Sequence, residues 1–320
     1  MHKPHVAVLR GGMSSEYEVS MRTGASVLRA LDNLLYSKKD VVITKEGQWL
    51  DGGKHRSPEQ ALAGVDVVFI ALHGEHGEDG RVQRYLSNHN IRYTGSRALA
   101  SATALNKVFT KRLLRSHGIK TPEYKTFDSS TARQDDSFHT LYTLGERVVV
   151  KPAGSGSSVD AFIGVPMHEV SARVKDLLKK YETVLVEEMI DGKEVTVGVL
   201  EQFRDQPLFA LPVVEIVPPP AHDFYSYEAK YGGEASLICP GAISDSEQRD
   251  LHDIATQVHQ LLDLRHYSRS DFILRDGQPY FLEVNTLPGL TEHSLFPRSL
   301  SAAGATYDEL VEHLVNQAHY

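Results

Sequence analysis

Apolar residues recur along this chain in short runs and in stripes at helical spacing. His5-Val-Ala-Val-Leu9 is an apolar run that meets Arg10-Gly-Gly12 and then Ser15-Glu16-Tyr17-Glu18, which predicts a strand, a glycine turn and a helix. Ser15 and Glu18 have capping-box spacing, and Val19, Ala25, Leu28 and Leu31 mark one face of a helix to about Leu31. Residues 65–71 read as a second buried strand, running into the glycine-rich segment 72–80. Ligands collect at such carboxyl ends of strands in open α/β sheets. A helix is predicted from Ala98 to about His117, closed by Gly118 with Pro122 beyond it. Residues 147–152 form a strand carrying Lys151; Val170, Val174, Leu177, Leu178 and Tyr181 mark a further helix; residues 183–190 form another strand. Ser244-x-x-Glu247 caps a helix whose stripe is Leu251, Ile254, Ala255, Val258, Leu261 and Leu262.

The most informative stretch is 269–294. Asp271-Phe-Ile-Leu and Tyr280-Phe-Leu-Glu-Val are two strands about Asp276-Gly277, a strong hairpin signal. A carboxylate set among Phe, Ile, Leu and Val is costly to desolvate unless it is paired or on a cation, and Asp, Glu and Asn are hard oxygen ligands suited to magnesium. Asp271, Glu283 and Asn285 are therefore candidate metal ligands. Side chains alternate faces, so these residues share a side only if the register between them is odd. A three-residue loop, Arg275-Asp276-Gly277, is expected to supply that parity and to bring Arg269 onto the same face. The plain alternative is a surface hairpin whose acids face solvent.

Composition narrows the field. The chain has 320 residues, 41% hydrophobic and 24% charged, enough for two or three domains. One cysteine, Cys239, permits no intrachain disulfide. No apolar run nears 18 residues and no leader is evident, so a cytoplasmic protein with no membrane partner is expected. A net charge of −8 argues against a nucleic-acid partner. Any polyanion must be met locally, and Lys151 before Ala153-Gly-Ser-Gly-Ser-Ser158 suits one, since backbone N–H groups and an ammonium can face it together. It is not a Walker A loop, whose lysine follows the glycines, and a plain Gly/Ser linker is the alternative. Gly11-Gly12 likewise lacks the G-x-G-x-x-G spacing of a dinucleotide site.

Gly11-Gly12, Ser14, Glu16, Val19-Ser20, His73-Gly74, Gly77-Glu78-Asp79-Gly80, Tyr227-Glu-Ala-Lys230-Tyr231, Asp271, Leu282-Glu-Val-Asn285 and Pro288-Gly289-Leu-Thr-Glu-His-Ser294 run in order along the chain. Together they resemble the D-alanine–D-alanine ligases of the ATP-grasp superfamily. The resemblance implies a three-domain α/β ATP-grasp fold with a Rossmann-like N-terminal domain, divided at 1–101, 102–186 and 187–320. It implies ligation of two D-alanines with ATP and magnesium or manganese, two ions, in a homodimer.

Carried onto this chain, Glu16 would hold the first D-alanine's ammonium with His73 nearby, and Ser294 would take the second substrate's carboxylate. Plain alternatives are a helix-dipole acid for Glu16 and a satisfied loop histidine for His73. Backbone groups of Glu187, Glu188 and Ile190, with the Glu187 carboxylate, would read the adenine edge, and Glu194 the ribose. Lys107, Lys151 and Lys230 would meet phosphates, while Tyr231 and Ser157 would face the substrate. Arg269 and the Gly289 N–H would form the oxyanion hole. Where the family usually has Arg-Glu-Gly-Ser-Ser-Val-Gly, this chain has Gly154-Ser-Gly-Ser-Ser-Val-Asp160, which puts the loop's anchoring in question. The loops 153–160 and 221–234 are expected to close together over the substrates. Rival functions are D-alanyl-D-serine or D-alanyl-D-lactate synthesis, or an ATP-binding regulator without turnover.

Overall fold

The computed structural model describes residues 3–133, 138, 140–156, 160–218 and 236–318. Ser157, Lys230, Tyr231 and the whole 221–234 segment lie outside them.

Three sheets make up the chain. The first holds β1 (Val6–Gly11), β2 (Lys38–Ile43), β3 (Trp49–Asp51), β4 (Lys54–Arg56), β5 (Val67–Ile70) and β6 (Arg92–Tyr93), in the order β4-β3-β2-β1-β5-β6. β1 runs parallel to β2 and β5, and β5 to β6, so the centre is the buried parallel sheet that its continuous apolar runs require. Helices α1 (Tyr17–Asn33), α2 (Pro58–Ala61) and α3 (Arg81–Asn88) connect these strands. The capping box expected at Ser15 is not formed: α1 starts at Tyr17 with Glu16 at its N-cap and no side-chain cap bond. Gly11 has φ +90°, and a Cβ there would lie 2.2 Å from the Ile43 carbonyl oxygen, so only glycine fits this turn.

The expected helix 98–117 is two helices, α4 (Ala98–Leu105) and α5 (Lys107–Ser116). Asn106 leaves helical geometry at ψ 95° and accepts the Phe109 N–H at 3.0 Å, capping α5. Lys107 is thereby the first residue of a helix, buried, instead of a mid-helix surface position.

The second sheet is antiparallel: β7 (Tyr124–Phe127), β8 (Arg147–Pro152), β9 (Phe162–Pro166) and β10 (Val184–Glu188), in the order β7-β10-β8-β9, with α6 (Met167–Leu177) packed on it through Val170, Val174 and Leu177. The third holds β11 (Lys193–Phe203), β12 (Gln206–Ala210), β13 (Val214–Val217), β14 (Ser236–Ile238), β15 (Tyr267–Arg275) and β16 (Gln278–Asn285), ordered β14-β13-β11-β15-β16 with β12 beside β11. Helix α7 (Asp245–Leu261) lies on it, capped by Ser244 and Glu247 as expected. Leu251, Ala255 and Val258 join Val195, Val197, Phe272, Phe281 and residues of α4 and α5 in one core. α8 (Leu295–Ala302) and α9 (Tyr307–Gln317) return to the first sheet, where Phe296, Leu310 and Leu314 share a core with Leu9, Leu31 and Phe69.

The β15–β16 hairpin differs from expectation in one respect. Arg275 pairs with Gln278 across a two-residue turn, Asp276-Gly277, both at positive φ (50° and 74°). The odd residue sits inside the strands: Asp271 pairs with Glu283 but Phe272 with Phe281, so Leu282 is a β-bulge. Parity is restored there, and Arg269 pairs with Asn285 two residues on.

Candidate active site

The bulge sets Asp271 opposite Glu283 and Arg269 opposite Asn285 on one side of the third sheet. Asp271 is 5% exposed and accepts four hydrogen bonds from three residues. Arg269 donates to both its oxygens at 2.8 Å through Nε and Nη2, Thr196 Oγ1 donates at 2.6 Å, and Asn285 Nδ2 donates at 3.1 Å. Glu283 is met by Lys107 Nζ at 3.2 Å, and the same ammonium donates to the Ser155 carbonyl. Position 107, at the head of α5, thus ties the metal-face acid to the small-residue loop.

Across the cleft, Lys151 on β8 reaches Glu187 Oε2 at 2.8 Å, and the other oxygen of Glu187 lies 3.2 Å from Lys111 Nζ. Burial alone would raise the Glu187 carboxyl, but the two ammoniums outweigh it and hold its pKa below the usual value. Burial lowers Lys111 to about 8, against the pull of Glu187. The Glu187 carboxylate, expected at an adenine edge, is buried and paired with two lysines in the ligand-free protein.

A cavity of ≈ 370 Å³ runs between the second and third sheets. Lys107, Lys151, Asp271 and Glu283 lie on its polar wall, and Glu187, Glu188, Ile190 and Glu194 follow along the β10–β11 connection. Val149, Ile163, Met189, Ile216 and Ile273 form apolar surface that suits a flat ring, in a volume ordinary for a small-molecule site. A small adjoining void is bordered by Lys107, Ser155, Gly156, Glu283, Asn285 and Glu78 of the first domain. Of the charged residues expected from the sequence, Lys107, Lys151, Glu187, Glu188, Glu194, Asp271 and Glu283 thus line this region, while Arg269 and Glu16 are not among its lining residues.

The first domain closes that region. Glu16 is 4% exposed, and a Cβ added at Gly74 would lie 2.6 Å from its Oε2, one added at Gly156 3.3 Å. The loop after β8 therefore lies against the loop after β5 at Glu16. Burial lowers the pKa of His73 despite the opposing pull of Glu16. Its Nδ1 donates to the Leu287 carbonyl at 2.9 Å, leaving Nε2 to accept from Thr23 Oγ1 at 2.8 Å. With both nitrogens engaged, His73 fastens its loop to α1 and to the segment after β16; the satisfied-histidine alternative describes it better than direct substrate contact. Gly289 and Ser294 lie together at the start of α8, where Ser294 Oγ accepts the Thr291 N–H at 3.1 Å.

Three contributors were not singled out from the sequence. Glu78 was visible only as part of a motif; its carboxyl accepts the Gly74 N–H at 2.9 Å, and burial, then Glu16, raises it to about 8. Lys111 is four residues after Lys107, a helical spacing that puts both on one face. Thr196 carried no signal, because only the β11–β15 register brings it to Asp271. Asp160 answers the question of loop anchoring: at φ +56°, it accepts Tyr181 Oη at 2.9 Å and Lys180 Nζ at 3.2 Å.

Among the described residues no group of three or more His, Cys, Asp or Glu converges as a metal site. The donor set is two carboxylates and an amide, hard oxygens that fit magnesium once Arg269 and Lys107 turn away from them.

A cleft between two antiparallel sheets, with lysines on one wall and paired acids on the other, defines an ATP-grasp enzyme. Family models described as the D-ala D-ala ligase N-terminus and C-terminus match residues 5–61 with 52–96, and 113–316, respectively. The chain belongs to the D-alanine–D-alanine ligase family. It is 39% identical over 318 residues to a D-alanine–D-alanine ligase of Syntrophotalea carbinolica, covering 98% of this chain and 96% of that protein. The D-alanine–D-alanine ligase of Bacillus anthracis complexed with ATP superposes with a TM-score of 0.79 at 28% identity, covering 98% of this chain and 97% of that one. The VanG D-Ala:D-Ser ligase of Enterococcus faecalis gives 0.83 at 25% identity, covering 98% and 99%.

Proposed function

We propose that this chain joins two D-alanine molecules to D-alanyl-D-alanine, for peptidoglycan precursors, at the expense of ATP. The observation that carries this reading is the shared face of Asp271, Glu283 and Asn285, set between the lysine-lined cavity and the buried Glu16. A carboxylate oxygen of the first D-alanine, its ammonium on Glu16, attacks the γ-phosphorus of ATP and ADP departs, giving an acyl phosphate. The second D-alanine's amine attacks the acyl carbon; the tetrahedral centre collapses, phosphate leaves with the former carboxylate oxygen, and the amine gives up a proton. Arg269 and the Gly289 N–H would hold the oxyanion at that stage, which requires the guanidinium to leave Asp271. Ser294, beside Gly289, suits the second carboxylate.

Asp271, Glu283 and Asn285 would hold magnesium or manganese, two ions in this reading, supplying charge compensation at the β- and γ-phosphates. Lys107, Lys151 and Lys230 share that task, with Tyr231 and Ser157 over the substrate. Base reading falls to the backbone of residues 187–190, with Glu194 on the ribose. The domain division 1–101, 102–186 and 187–320, a homodimer and a cytoplasmic site belong to the same proposal; no helix among the described residues is long and apolar enough to cross a membrane.

A second reading, D-alanyl-D-serine synthesis, is favoured by the overlay on the D-Ala:D-Ser ligase. Product analysis with D-alanine alone and with added D-serine or D-lactate separates them. D-Alanyl-D-alanine as the main product in all three mixtures is expected; a mixed product dominating at equal concentrations would replace this reading.

A further inference from the structure

Among the described residues, both lysines expected to face phosphate are already held by carboxylates, Lys107 by Glu283 and Lys151 by Glu187, and Arg269, expected at the oxyanion, is held by Asp271. Asp271 and Glu283 can pass to a metal ion when their partners turn away. Glu187 has no such exchange. It is 1% exposed, next to the last residue of β10, with β7 and β8 on either side. A carboxylate stranded there without a counter-ion would be strongly disfavoured, so Lys151 could not leave it for ATP unless another cation stayed behind.

Such a cation is present. Lys111 is 0% exposed, lies 3.2 Å from Glu187 Oε1 and is absent from the cavity wall, so it does not meet the nucleotide. One helical turn separates it from Lys107, so α5 directs one lysine into the cavity and the next beneath it. We propose that Lys111 is a positioning residue: a standing counter-ion that keeps Glu187 neutralised and so frees Lys151 to move between Glu187 and the phosphates of ATP. The proposal rests on reading Lys151 as a phosphate ligand. Burial lowers the pKa of Lys111 only to about 8, which leaves that ammonium charged at neutral pH.

The test uses the full chain with magnesium and a non-hydrolysable ATP analogue, its dissociation constant measured by titration calorimetry beside the steady-state constants. In Lys111→Met, Lys151 alone must neutralise Glu187, so the analogue's Kd and KM for ATP should rise about tenfold, a change of about 1.4 kcal/mol. KM for D-alanine and kcat at saturating ATP should stay within about threefold. Adding Glu187→Gln removes the charge that needs neutralising and should recover most of the affinity. If Lys111→Met binds the analogue like the parent while Lys151→Ala loses about tenfold, the counter-ion role is overturned and the Lys151 reading stands. If Lys151→Ala also binds like the parent, both fall. Should Lys111→Met not fold, the double variant decides: near-parent affinity is expected, and a tenfold loss overturns the proposal.

Discussion

Glu283 faces Asp271 across the hairpin and answers Lys107 at 3.2 Å, so it is the counter-charge of the resting site and, in the proposed reading, a metal ligand in the working one. Replacing it by glutamine keeps its size and removes its charge. Turnover of Glu283→Gln should fall at least about a hundredfold, roughly 2.7 kcal/mol, with an unchanged unfolding temperature; a loss smaller than about tenfold would remove it from the metal site. Arg269 grips both oxygens of Asp271 with a planar fork that an ammonium cannot reproduce. Arg269→Lys should therefore lower kcat at least about tenfold, and near-normal kcat would make Arg269 structural. Glu78 carries a pH dependence. Burial, and then Glu16, raises its folded pKa from 4.5 to about 8, so the folded state holds a proton that the unfolded chain releases. Its contribution to stability is complete below pH 4.5 and is lost as pH rises to about 8. Urea midpoints at pH 5 and pH 8 should differ less in Glu78→Gln, which keeps an acceptor for the Gly74 N–H, than in the parent. An equal fall in both proteins would contradict the assignment.

At the scale of elements, Asn106 decides whether residues 98–116 form one helix or two. An uninterrupted apolar and basic pattern reads as one, since Asn is tolerated inside helices; the break becomes visible only through the bond from Phe109 N–H to its side chain. Asn106→Ala should cost about 1 kcal/mol of stability, read from denaturant midpoints, and raise KM for ATP because Lys107 heads the capped helix. Unchanged values for both would make the cap incidental. The β15–β16 hairpin shows what pattern can and cannot tell. Alternation and Asp276-Gly277 predicted the two strands and the shared face, but placed the odd residue in the turn. A bulge at Leu282 satisfies the same parity, and nothing local in Phe281-Leu-Glu-Val distinguishes the two solutions. Strands β2 to β4 went unassigned because Lys, Asp and Gly interrupt their apolar positions, and it is pairing with β1 that orders them. Apart from Glu78 and Lys111, the charged site residues could be picked out by type and neighbours. Their resting partnerships depend on register and helix direction, which no short window holds.

At the scale of the whole molecule, the first and third sheets are joined by a common core through Tyr267, Phe296 and Leu310, whereas Phe127, Val148, Val150, Val174 and Val186 of the second unit pack among themselves. The cavity proposed for the nucleotide spans that division, between β8 and β10 on one side and β15 and β16 on the other. Ligand binding there should raise the unfolding temperature and slow amide exchange in β8 and β16 together, since binding to the folded state alone stabilises it by mass action. Protection confined to one of these strands would place the nucleotide elsewhere. The acid-bearing hairpin and the lysine strand were legible as patterns, while the joining of Glu16 to Gly74 and Gly156 required the folded chain. The central claim is that this chain activates a D-alanine carboxylate by phosphorylation. Turnover of D-alanine labelled with oxygen-18 in its carboxylate, followed by mass spectrometry of the released phosphate, tests it most directly. The account predicts one labelled oxygen in each phosphate and one D-alanyl-D-alanine formed with it; phosphate released without label would contradict it.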